Sequence, residues 1–109
     1  MAMMPMEFDE GVESYSSSDN QFNEFKCGNV VTIAIMNKSV TATAAGWKTI
    51  GTIRAGFRPP TEMRFAIMDN SDGTRCRVGR INASTGAFEV YCIAAETIGC
   101  VCVVTYIVS

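Results

Sequence analysis

Apolar and polar residues alternate along most of the chain beyond residue 28, and the alternation has period two, the signature of strands with one buried face. Asn29 to Met36 places Val31, Ile33 and Ile35 on one side. Ser39 to Ala44 is a β-branched run that ends at Gly46. Trp47 to Ile53 follows, stopped by Gly56 and by Pro59-Pro60, since proline cannot donate to the ladder of a central strand. Glu62 to Met68 alternates again, with Met63, Phe65 and Ile67 facing one way. Turns at Asp69–Gly73 and Asn82–Gly86 lead into strands at Thr74–Ile81 and Ala87–Cys92, and Gly99–Val108 is the last. Short strands at this spacing, with Gly and Asx turns between them, predict an all-β sandwich or small barrel over residues 27–109. The expected core is Val31, Ile33, Ile35, Phe65, Ile67, Phe88, Val90 and Val104. Trp47 and Phe57 are expected to pack where the third segment meets the Gly-Pro loop.

The final strand is apolar on both sides. Cys100, Cys102, Val104, Tyr106 and Val108 share one face; Val101, Val103, Thr105 and Ile107 share the other. A strand of this kind is buried twice. One face covers the domain core, and Val101, Val103, Thr105 and Ile107 are the expected interface with neighbouring subunits.

Charge divides the chain. Residues 1–26 hold six acids and one base, a net of −5, whereas residues 27–109 hold eight bases and five acids, a net of +3. The first part also carries Ser16-Ser17-Ser18-Asp19-Asn20, a cluster with poor helix and strand propensity. Residues 1–26 therefore read as an acidic N-terminal arm. Phe8, Tyr15 and Phe22 recur every seven residues, with Phe25 three further on. The serine run argues against a helical stripe, so these four read as anchors of an extended arm that docks on another protein.

Composition removes several classes of chemistry. The chain has no histidine, hence no Ser-His or Cys-His nucleophile pair and none of the commonest metal ligand. The net charge of −2 gives no global basic field for nucleic acid. The longest uncharged apolar stretch, Thr97–Ser109, is shorter than the roughly 20 residues of a membrane helix. Five cysteines, an odd number at irregular spacing, argue against a disulfide framework and for a reducing cytoplasm as the place of synthesis. The opening residues have neither a basic n-region nor an apolar h-region, so no secretory signal is read there. Apolar residues make up 48% of the chain, a surplus for a body of 109 residues and a reason to expect burial between subunits.

The remaining motifs are weak. Asp69-x-Ser71-x-Gly73 resembles the front of a calcium loop, but Arg80 stands where the bidentate glutamate is needed. Cys100-x-Cys102 lacks two further ligands for zinc and reads as core filler. Neither a metal nor a cofactor is expected. The body carboxylates Glu62, Asp69, Asp72, Glu89 and Glu96 show no pairing that suggests hydrolysis, so no enzyme is expected. Arg75, Arg77, Glu89 and Tyr91 sit on the expected outward faces of adjacent strands and are the candidate saccharide contacts. Trp47 reads as core rather than as a sugar-stacking platform.

One stretch resembles a known family. Gly46-Trp47-Lys48-Thr49-Ile50-Gly51-Thr52-Ile53-Arg54-Ala55-Gly56-Phe57-Arg58-Pro59, preceded by Gly28-Asn29-Val30-Val31-Thr32-Ile33, leads to an ending Val104-Thr105-Tyr106-Ile107-Val108-Ser109. This pattern, over residues 28–109, resembles the C-terminal β-domain of tail-fibre, baseplate and receptor-binding proteins of tailed bacteriophages. The resemblance implies a homotrimeric jelly-roll-like sandwich in a virion, with host-surface saccharide bound near subunit boundaries and other virion proteins as partners. Only 26 residues precede the domain, so the expectation is a short tip protein, a head-decoration or head-fibre knob, or a minor baseplate part rather than a fibre shaft. Its different-class rival is a purely structural connector without a ligand.

Overall fold

The computed structural model describes residues 12–16, 20–71, 73 and 75–108. Strands β1 (Val12–Ser16), β2 (Phe22–Cys27), β3 (Val30–Ala42), β4 (Gly46–Thr52), β5 (Met63–Asp69), β6 (Cys76–Ile81), β7 (Ala87–Cys92) and β8 (Glu96–Ile107) follow in chain order. They form one antiparallel sheet in the order β1-β2-β3-β8-β5-β6-β7-β4. The fold is all-β, and the sheet is curled.

The curl brings the two ends of the sheet over one core. Phe22 of β2 meets Phe88 of β7 edge-to-face with ring centroids 5.7 Å apart. Its ring also lies against Gly51 of β4, where a Cβ would stand 2.8 Å from the Phe22 ring. Ile33, Ile35, Ile53, Ile67, Ile81, Phe88, Val90 and Ile98 fill the space between, all essentially inaccessible. Of the expected core, Val31, Ile33, Ile35, Ile67, Phe88, Val90 and Val104 are buried, and Phe65 packs at its margin. Cys92, Cys100 and Cys102 are buried among them as free thiols. Burial pushes the Cys100 thiol up to about 12 and the Cys102 thiol up to about 11, so both stay protonated, as core filler should.

The long β3 merges two segments that the sequence pattern separates. Asn37 adopts a left-handed conformation (φ 57°), and the β3–β8 register shifts between Ile35 and Lys38. A bulge therefore stands where Asn37-Lys38-Ser39 suggests a break; asparagine tolerates the positive φ that it requires.

The acidic segment departs most from expectation. Residues 12–16 and 22–27 are not an arm outside the body but two strands of its sheet, paired through β2 to β3. Pairing parts the described anchors differently: Tyr15 lies across from Glu24 and so shares the inner face with Phe22, whereas Phe25 alternates to the other face. Phe22 is buried, Tyr15 packs edge-on against Phe57 at 5.3 Å, and Phe25 is exposed on the opposite face. Phe8 lies outside the described residues. Glu24 is buried too; its Oε1 accepts the Arg54 backbone N–H at 3.0 Å, and desolvation raises its pKa above the ordinary value.

Phe22 is thus structural. Phe22→Ala should cost about 3–5 kcal/mol, the range for emptying a buried aromatic position. Urea denaturation would measure it. A loss under 1 kcal/mol, roughly the scale of surface substitutions, would place Phe22 outside the core.

Candidate functional site

The two faces of the sheet carry different chemistry. On the inner face, Arg77 of β6 is buried, with its side chain only 4% exposed. Its Nη2 donates to Asp69 Oδ2 at 2.9 Å and to Glu96 Oε1 at 2.7 Å, and its Nη1 donates to Glu96 Oε2 at 2.9 Å. One guanidinium thereby joins the end of β5 to the start of β8. Burial raises the Asp69 pKa, but hydrogen bonds from Ser71 and Arg77 outweigh that effect, and its carboxyl lies below the ordinary range. Glu96 is also lowered, first by its hydrogen bonds from Arg77. Both carboxylates are charged at neutral pH, and the cluster is a closed ion triad rather than a poised acid–base pair.

This overturns the outward placement of Arg77. Alternation along β6 buries Arg77, Gly79 and Ile81 and turns Cys76 and Val78 outward, so Arg77 cannot touch a ligand on the outer surface. Arg75 is exposed just before β6, where its carbonyl accepts the Asp69 N–H at 3.2 Å.

Glu89 and Tyr91 of β7 do reach the outer face, and there they join residues that sequence reading assigned elsewhere. Trp47 lies directly across from Tyr91 in the β4–β7 register, with ring centroids 5.3 Å apart and the planes at 71°. The Arg80 guanidinium covers the Trp47 ring at 4.0 Å while its Nε donates to Glu89 Oε1 at 2.6 Å. Arg64, paired with Glu62, stands 5.4 Å from the same ring. Trp47 is therefore half-buried in a charged aromatic cluster, not packed against Phe57. Phe57 sits elsewhere: its carbonyl accepts the Tyr106 hydroxyl, and Lys26 lies 5.4 Å over its ring.

A second region of the outer face is apolar. Val30 pairs with Ile107, Ala34 with Val103, Met68 with Val101 and Ala66 with Val78, so four neighbouring strands carry one continuous strip. Val103 is 69% exposed and Ile107 63%. Thr32 and Thr105 share a hydroxyl hydrogen bond of 3.0 Å within it. Among the described residues, no charged side chain occupies an outward position of this strip on β3, β8, the Cys76–Val78 end of β6 or the Ala66–Met68 end of β5. Val101, Val103, Thr105 and Ile107 thus form its centre, while Cys100, Cys102, Val104, Tyr106 and Val108 cover the core.

The comparisons offer no guide: the chain matches no family model, no curated protein and no solved structure.

The ion triad makes a pH-dependent prediction. Arg77→Met should destabilise the fold by about 3–5 kcal/mol at neutral pH, because it leaves Asp69 buried without its partner. Asp69 and Glu96 have folded pKa values below their ordinary 3.8 and 4.5, so their contribution is complete above those values and drains as pH falls through the lower folded ones. The gap between wild type and variant should therefore narrow in acid. Thermal melts from pH 7 to pH 2 check this, and a pH-independent gap would rule out the ionic account.

Proposed function

We propose that this protein works by binding: a self-assembling β-module, homotrimeric and jelly-roll-like, that serves as a virion component in the manner of the phage domains it resembles. The observation that carries this reading is the uncharged apolar strip on β3, β8, β5 and β6. Strips of this kind on soluble domains mark interaction sites, and a surface shared by identical chains is the simplest cover for it. Burying four or five such side chains at about 1.5–3 kcal/mol each is enough to offset a substantial part of the entropy lost on association.

A binding role, not catalysis, also suits the carboxylates. Glu62, Glu89, Asp69 and Glu96 are each paired with an arginine, an arrangement that leaves their carboxylates occupied. Attachment to other virion proteins and contact with host saccharide through Tyr91 and Glu89 belong to the same reading. The rival, a structural connector with no ligand, is favoured at that patch by Arg80, which already occupies the Trp47 ring face.

Light scattering on the intact chain should give three times the chain mass. Val103→Glu and Ile107→Glu place a carboxylate at the centre of the strip and should yield monomers with unchanged strand content. A wild-type protein that stays monomeric across the micromolar range would sink the assembly reading.

A further inference from the structure

Sulfur is concentrated in one row across the outer face. By alternation along β3, Met36 follows Val30, Thr32 and Ala34 on the outer side. The β3–β8 register runs from Ile35↔Cys102 to Lys38↔Cys100 across the bulge, so Met36 stands against Val101. Val101 is in turn the register partner of Met68 on β5, and Met68 that of Cys76 on β6. Two thioethers and a thiol thus flank Val101 within the apolar strip. Met36 is 59% exposed and Met68 52%, and Cys76 is exposed beside them. Asn23 Nδ2 donates to Met36 Sδ at 3.6 Å and keeps that sulfur at the surface. Met63, by contrast, alternates to the inner face of β5 and packs against the core.

The thioether gives these positions a second property. A methionine side chain is apolar and pliable, which suits an assembly surface, but its sulfur takes up oxygen from a peroxide. The sulfur lone pair attacks one oxygen of hydrogen peroxide, the O–O bond breaks, and the other oxygen takes the proton and leaves as water. Sulfur is oxidised to a sulfoxide and the peroxide is reduced. The new oxygen is polar and hydrated. Pressing it against a second copy strips that water away, a cost that polar groups carry on burial and thioethers do not.

We propose that Met36 and Met68 make assembly oxidation-sensitive: peroxide converts the free chain, where both sulfurs are open, to a form whose strip pairs poorly with a second copy. This switch rests on the assembly reading, since a chain that never pairs has nothing to lose on oxidation. Assembly shields both sulfurs, so the reaction belongs to the dissociated fraction.

The full-length chain is treated with hydrogen peroxide, its sulfoxides are located by peptide mass mapping, and its mass is followed by light scattering. Oxidation at Met36 and Met68 should weaken assembly at least about tenfold, with strand content unchanged by circular dichroism. Dithiothreitol alone reverses disulfides and sulfenic acids and should not restore assembly. Methionine sulfoxide reductases for both sulfoxide epimers, supplied with dithiothreitol, should restore it. The double variant Met36→Leu, Met68→Leu keeps the other five of the seven methionines and both exposed cysteines, and peroxide should leave its state of assembly where it was. Assembly that survives full oxidation of both sulfurs, recovery with dithiothreitol alone, or a double variant that dissociates in peroxide as the wild type does would each overturn the proposal. The first of these leaves the assembly reading standing, whereas a wild type that is monomeric before any oxidant is added overturns both.

Discussion

The fold hangs on one buried guanidinium. Arg77 is held by two carboxylates from the neighbouring strands β5 and β8, and a planar fork that donates to both does so only in a narrow geometry. Glu96 also accepts the Ile93 N–H, and Asp69 accepts both the N–H and the hydroxyl of Ser71. The triad thereby fixes the β7–β8 turn and the β5–β6 turn together. A slip of β6 by one residue would turn Arg77 to the outer face and leave Asp69 buried without a cation.

With the register set, the two faces of the curled sheet follow. The inner face spends its apolar side chains on a single core, and the outer face divides into two chemical zones. Near β3, β8 and β5 it presents valine, isoleucine, alanine and methionine; near β6, β7 and β4 it presents Arg80, Glu89, Tyr91 and Trp47. The apolar zone lies on the two longest strands, so any partner seated there also covers the backbone that joins the halves of the sheet. The charged aromatic zone sits beside the edge strand β4, where approach from solvent is open. Association and ligand contact can then occupy one face without competing for the same residues.

Strand positions were largely legible because period-two alternation survives burial on either face. β4, β5, β6 and β7 lie within a residue or two of where the pattern puts them, and the double-faced character of β8 is equally visible. Three features were not legible, each for a physical reason. The bulge at Asn37 interrupts alternation in the same way that a turn does, and only pairing with β8 tells the two apart. Arg77 lies in Cys76-Arg77-Val78, where the charged residue is buried and its apolar neighbours face outward; an ion triad inverts the usual rule. Trp47 reads as core, yet it lies on the outer face, where Arg80 covers its ring and Tyr91 packs edge-on beside it.

The charge asymmetry between residues 1–26 and the rest looked like the basis for docking on a partner, but part of it is satisfied inside the molecule. Glu24 caps the Arg54 backbone N–H, and the Arg54 guanidinium lies 3.4 Å over the Tyr15 ring. Lys26 donates to Gly56 O at 3.0 Å, and Tyr15 closes on Phe57. These contacts sew the β1–β2 hairpin to the loop after β4, at the opposite end of the sheet order. Glu24 lies in the field of Arg54 and Arg58 from that loop, and Phe22 packs beneath Gly51. The hairpin is therefore what closes the curl: a carboxylate facing two arginines and a buried phenylalanine both tie the sheet's two ends together.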